Sequence, residues 1–205
     1  MGLYEKHLLP RLIEMACSQP PMTELRARYV PRARGDVLEI GIGSGLNLPH
    51  YGSEARSVTG LDPAASLTQR ARQRAASARP DVEILQISGE EIPADDGRFD
   101  SIVCTWTLCS IPNVYKALRE MHRVLKPGGS FYFVEHGLAP DHDVRNWQRR
   151  IEPLWKIIGG GCHLTRQTDQ LIQDAGFVLP ELECGYQPGP RWAAFMTHGV
   201  AVRPD

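Results

Sequence analysis

Three glycines at alternate positions, Gly41, Gly43 and Gly45, close the run Val37-Leu38-Glu39-Ile40, and three carboxylates, Glu39, Asp62 and Glu90, recur along the same half of the chain. Glycines at every second position let a backbone approach a ligand without Cβ interference and take up positive φ. The same pattern with no ligand is a tight turn after a strand. Asp62 stands about twenty residues beyond the first glycine, the spacing at which an acid ending a second strand reaches a nucleoside ribose. The alternative for it is a cap or turn aspartate before Pro63. His136 and His163 are suited to proton transfer near neutral pH. Cys162 beside His163 invites a metal or nucleophile reading, but two adjacent residues do not make a normal ligand set, and no metal is expected.

The elements that must position these groups follow from the hydrophobic pattern. The glycine run reads as a strand, a tight loop and the start of a helix. Further strands are expected over 57–62, 82–88, 99–105 and 130–135, with a helix over 65–78 and another opened by Asn113 as its cap and carrying Val114, Ala117, Leu118, Met121 and Val124 on one stripe. Strands alternating with helices predict an α/β fold, a doubly wound sheet with its ligand site at the strands' carboxyl ends. A helix over 165–175 closes at Gly176, and strands over 177–185 and 191–202, separated by Gln187-Pro188-Gly189-Pro190, suggest an antiparallel hairpin at the sheet edge. Residues 3–16 predict a helix that Pro10 kinks or splits, packed on the domain or serving as a lid or peripheral membrane contact. Arg26, Arg28, Arg32 and Arg34 read as a solvated basic face.

A chain of 205 residues suits one domain. Its parts are expected to be a helical lid or cap over 1–34, a cofactor-binding core over 37–136, and acceptor-side helices with the terminal hairpin over 137–205. Lys plus Arg (23) balance Asp plus Glu (24), which argues against nucleic acid as a partner. Five cysteines with no CxxC pair suggest neither a disulfide framework nor a zinc ribbon, and a reducing, cytoplasmic setting. Charges at Glu5, Lys6, Arg11 and Glu14 interrupt any apolar run, so neither a signal peptide nor a membrane span is expected there. Nothing in the pattern fixes the oligomeric state.

Two cofactor classes compete for a glycine loop with a distal acid. The dinucleotide fingerprint needs a glycine at position 46, where this chain has Leu46, so a pyrophosphate cradle is disfavoured. S-adenosylmethionine carries a sulfonium and an ammonium, and Glu39, Asp62 and Glu90 suit its cations and ribose hydroxyls better than an anion. The ordered motifs, from the glycine run through Asp62, Gly89-Glu90, Phe99-Asp100 and Leu125-Lys126-Pro127-Gly128-Gly129, resemble those of class I S-adenosylmethionine-dependent methyltransferases. The resemblance implies a Rossmann-like, mostly parallel seven-stranded sheet with an antiparallel last strand. It also implies that Gly41, Gly43 and Gly45 approach the methionine part, that Asp62, followed by Pro63, binds the ribose, and that Ser88, Gly89 and Glu90 lie beside the adenine. Thr105, Trp106 and Leu108 would border the methyl donor, and S-adenosylhomocysteine would be the product.

A narrower likeness runs through Val103-Cys104-Thr105, Leu108-Cys109-Ser110, Glu135-His136, Trp147-Gln148, Glu152-Pro153, Gly161-Cys162 and Leu164-Thr165-Arg166. These segments are similar to the alkyl-thiol methyltransferases and their bacterial relatives. That implies a small acceptor, a thiol first and an amine, including a lipid amine, second. A thiol gains from a base or cation that raises its thiolate fraction. His136, directly after the fifth strand, is the first candidate for that base and His163 the second, with packing or hydrogen bonding as the alternative for each. Arg166 is read as pairing with Glu152 or Asp169 rather than attracting an anionic acceptor, and Trp106, Trp147 and Trp155 are candidates to wall the acceptor site, with core packing as the alternative.

Overall fold

The structure, a computed structural model, describes residues 8–205. The expected helix over 3–16 therefore begins outside the described residues. In chain order the elements are α1 (Leu9–Cys17), α2 (Pro20–Tyr29), β1 (Gly35–Ile40), β2 (Ala55–Leu61), α3 (Ala65–Ala75), β3 (Asp81–Leu85), β4 (Phe99–Thr105), α4 (Val114–Val124), β5 (Leu125–His136), α5 (His142–Ile158), α6 (Thr168–Asp174), β6 (Val178–Tyr186), α7 (Arg191–Ala194) and β7 (Phe195–Val202). Pro10 falls in the first turn of α1, where a missing N–H is tolerated, so it breaks nothing.

The strands form one seven-stranded sheet in the order β3-β2-β1-β4-β5-β7-β6. Strands β1 to β5 run parallel, and β7 lies antiparallel between β5 and β6. The mostly parallel α/β sheet expected from the sequence is thus present, and its antiparallel member is the last strand. Period-two alternation builds the two faces. Leu38 and Ile40 of β1 and Ile102 and Cys104 of β4 join one core with Leu118 and Met121 of α4 and Ile172 of α6. Val37 and Val103 point to the opposite core with Tyr29 and Ala71. The stripe on α4 is buried as its spacing requires, and Asn113 caps the helix by accepting the Lys116 N–H at 3.0 Å.

Three segments depart from expectation. No α-helix follows the glycine loop; only a single 3-10 turn, Leu48–His50, forms there, with Pro49 inside it. The stretch 191–194 is a short helix, and the final strand begins at Phe195. The basic segment is not uniformly solvated: Arg26 is 4 % exposed, while Arg32 pairs with Glu181 at 2.8 Å and Arg28 with Glu183 on β6.

Strand β1 has β2 on one side and β4 on the other, and the chain leaves the sheet in opposite directions after them. A crevice opens at such a switch point, outside the carboxyl ends of the strands. Among the described residues no helix is long and apolar enough to cross a membrane.

Candidate active site

A cavity of about 320 Å³ occupies that crevice. Its floor comes from the turns that leave the strands: Gly41 and Gly43 after β1, Asp62 and Pro63 after β2, and Ser88 and Gly89 after β3. Thr105 and Trp106 close β4, and Thr107, Ser110 and Ile111 follow. The facing wall is α1, through Leu9, Ile13 and Cys17.

The loop's glycines answer to different constraints. Gly41 has φ +72°, and a Cβ on it would stand 2.1 Å from the Thr107 hydroxyl, so close packing of two loops excludes any side chain. At Gly43 a Cβ would meet open space, its nearest neighbour being a backbone oxygen at 3.9 Å. A lining residue that leaves its Cβ volume free is a cradle for a ligand, and Gly43 provides one. Gly45 does not line the cavity; it packs against Leu48 and Ala71.

Asp62 accepts the Gly43 N–H at 3.0 Å and the Ala64 N–H at 2.8 Å. The turn role weighed for it is therefore real, and its side chain also reaches the cavity. Burial raises its pKa, against the two N–H groups that favour the ionised form. Glu39 sits one layer behind the wall, 1 % exposed, accepting Asn47 Nδ2 at 3.0 Å and the Tyr51 hydroxyl at 2.6 Å. Burial pushes its carboxyl up to about 7, in spite of those two donors. Glu90 also lies behind the wall, accepting the Ser88 hydroxyl at 2.9 Å and the Asn113 N–H at 2.7 Å, so it ties the β3 turn to α4.

Arg26, read from the sequence as part of a solvated face, and Asn47 and Tyr51, given no role there, belong to this site. The Arg26 guanidinium donates to Asn47 Oδ1 at 2.9 Å and to the Cys17 carbonyl at 2.6 Å, and lies 4.6 Å from the Trp106 ring centroid. Trp106 has φ 51°, unusual for a bulky residue, and its indole N–H points at the Met196 sulfur at 3.4 Å. Glu39, Asn47, Arg26 and Trp106 thus form one chain of contacts from the sheet core to the cavity. Cys17, a thiol on the same wall, is raised by burial and lowered by Arg26, with burial the larger effect.

The loop after β4 is held by Glu135, fully buried at the end of β5. Its carboxylate accepts the N–H groups of Thr107 at 2.8 Å, Leu108 at 2.9 Å and Cys109 at 3.3 Å. Arg166 donates to the carbonyls of Leu108 and Ile111, and so pairs with this loop where Glu152 or Asp169 was expected. Leu108 itself is core.

Neither candidate base lines the cavity. His136 Nδ1 lies 3.5 Å from the Cys162 sulfur; burial opposes its protonation, but Cys109 and Glu135 outweigh it and raise its pKa. His163 is 3.3 Å from Glu152, its pKa lowered by burial and Arg166. Of the three tryptophans considered for the wall, only Trp106 is on it: Trp147 is half exposed, and Trp155 packs edge-on against Trp192.

Residues 38–133 match the family described as a methyltransferase domain. The chain is similar to the thiol S-methyltransferase TMT1B of Rattus norvegicus, 38 % identical over 82 % of this chain and 70 % of that protein. It is also similar to the thiol S-methyltransferase TMT1A of Homo sapiens, 36 % identical over 84 % of this chain and 72 % of that protein. Its fold resembles that of the methyltransferase solved in complex with the Haloferax volcanii Trm112 methyltransferase activator, with a TM-score of 0.70, 20 % identity and coverage of 96 % and 94 % of the two chains.

Proposed function

Since the chain belongs to the S-adenosylmethionine-dependent methyltransferases, we propose that it transfers a methyl group from S-adenosylmethionine to a small apolar thiol held under α1. The observation that carries this reading is the division of one cavity into two unlike halves: a polar floor of Gly43, Asp62 and Ser88, and an apolar wall of Leu9, Ile13 and Ile111.

The residues present fit the donor. The free volume at Gly43 admits a ligand against the backbone, Asp62 suits ribose hydroxyls, and Ser88 and Gly89 suit the adenine edge. When bound, S-adenosylmethionine supplies a methyl group on a good leaving group, so the protein must chiefly align the acceptor. Holding two reactants in line is worth several kcal/mol. The Glu135 clamp and the Thr107 contact with Gly41 make the floor rigid enough for that task.

Arg26 bears on the charge state of an acceptor held on this wall. A thiol placed against Cys17 meets the influences that act on Cys17 itself: burial disfavours the thiolate, and Arg26 favours it. The same guanidinium disfavours an ammonium and so would keep an amine in its neutral, nucleophilic form; the preference for a thiol is supported by the thiol S-methyltransferase relatives. Glu14, the acid on this wall, is already paired with Arg70 and Arg74. His136 and His163 act, on this reading, by bracing the loops behind the acceptor wall.

The test is turnover of S-adenosylmethionine with a panel of alkyl thiols and matched amines of equal chain length. Thiol methylation is expected. Methylation of the amines with none of the thiols would overturn the proposal.

A further inference from the structure

Cys109, His136 and Cys162 are far apart in sequence and converge at the end of β5, behind the cavity. Their ligand atoms all lie within 4.8 Å of one another. We propose that this trio is a binding site for a thiophilic divalent ion, with Zn2+ as its representative ligand.

The dimensions suit such an ion. Tetrahedral zinc, with bonds of about 2.3 Å to sulfur and about 2.0 Å to nitrogen, sets sulfur–nitrogen edges of ~3.5 Å and sulfur–sulfur edges of ~3.8 Å. The Cys162 sulfur stands 3.5 Å from His136 Nδ1, and small side-chain movements bring the third atom to its edge. Two thiolates and a neutral imidazole cancel the charge of a divalent cation, which suits a pocket where both cysteines are buried. Neither cysteine is in a disulfide.

The backbone under each ligand is already fixed. The Cys109 N–H bonds to Glu135, and its carbonyl accepts the His163 N–H at 2.8 Å, which joins the two cysteine loops directly. The Cys162 N–H bonds to the Gly159 carbonyl at 3.3 Å. His136 is held in the β5–β7 ladder opposite Met196, and its carbonyl accepts the Thr168 hydroxyl at 3.3 Å. Such outer partners orient metal ligands in general. Three protein ligands leave a fourth position for water or another small donor.

A metal here would join two segments that wall the acceptor side: Ser110 follows Cys109, Gly160 precedes Cys162 by two residues, and both line the cavity. Binding displaces the two thiol protons into solution and forms two sulfur–metal bonds and one nitrogen–metal bond, with no change of oxidation state.

The experiment is metal binding to the reduced, tag-free chain. One equivalent of Zn2+ is expected per chain, and Co2+ in its place should give the near-ultraviolet thiolate charge-transfer absorption. The double variant Cys109→Ser, Cys162→Ser should bind Zn2+ more than about 100-fold more weakly, beyond the loss an outer partner causes. Cys184→Ser, on the exposed β6, should bind as the parent does. Unchanged affinity in a double variant that keeps the parent's circular dichroism would overturn the proposal. X-ray absorption at the zinc edge of the parent chain does not depend on any variant folding. Two sulfur neighbours with one imidazole support the site, whereas a shell of nitrogen and oxygen alone, or the absence of stoichiometric zinc, overturns it. None of these readouts needs methyl transfer, so failure here leaves the proposed acceptor chemistry untouched.

Discussion

The Arg26 guanidinium lies over the face of the Trp106 indole, 4.6 Å from the ring centroid. Trp106 holds this position with a left-handed backbone, φ 51°, directly after β4. A buried cation facing a cavity is costly unless its donors are satisfied. Its neighbours Asn47, the Cys17 carbonyl and the indole meet that cost jointly.

Arg26→Met should therefore impair thiol methylation most where the acceptor is mainly protonated. A loss of roughly ten-fold in kcat/KM below the acceptor's pKa corresponds to one unit of lost thiolate stabilisation, and the loss should shrink above it. A pH–rate profile of both proteins with one alkyl thiol measures this. A uniform loss at every pH would assign Arg26 to positioning alone.

Glu39 links the site to stability. Its carboxyl titrates at about 7 in the fold against 4.5 ordinarily. Between those values the folded chain holds a proton that the unfolded chain has lost, so this group's contribution is full below pH 4.5 and disappears as pH rises through about 7. The amount is on the order of 3 kcal/mol. Urea unfolding at pH 5 and pH 8 should show Glu39→Gln to be less pH-dependent than the parent, and parallel curves would refute the assignment.

Asp62→Ala should weaken S-adenosylhomocysteine binding by about ten-fold or more, the scale of a lost hydrogen bond to a charged group. Titration calorimetry reads it. Because Asp62 also holds the Gly43 and Ala64 amides, Asp62→Asn serves as a control that keeps one acceptor oxygen. Unchanged affinity in both variants would remove Asp62 from the ribose.

Gly41→Ala should cost about 2 kcal/mol or more, since a left-handed backbone and a contact with Thr107 both oppose the new methyl. Denaturant midpoints measure the loss. Thr107→Gly in the same chain should recover part of it, and no recovery would mean that backbone strain accounts for the whole effect.

What the sequence revealed was local and periodic. Alternation in Val37-Leu38-Glu39-Ile40 and the stripe from Val114 to Val124 each carry their own partner pattern, so the sheet and α4 were legible. The floor of the cavity was legible too, because strand-end turns follow from the topology. What stayed hidden depended on tertiary partners. Arg26 resembles any surface arginine until Asn47 and Trp106 arrive from elsewhere in the chain. Glu135 shows its role only when the 107–109 amides turn toward it. Cys162 was read beside His163, its neighbour in sequence, whereas the fold sets it beside His136. The helix expected after the glycine loop failed because its apolar residues, Leu46 and Leu48, are taken up by a short turn against the cavity and core.

The placement of α1 has one more consequence. The α1 part of the wall proposed for the acceptor precedes residue 38, whereas every floor residue proposed for the donor lies within 38–133. That part of the wall can therefore change independently of the donor floor. Substitutions at Leu9, Ile13 and Cys17, one or two turns apart on a single helix, would retune which molecules are methylated and leave recognition of the common donor in place. The arrangement makes this helix the economical place for selection, or for an engineer, to redirect the enzyme.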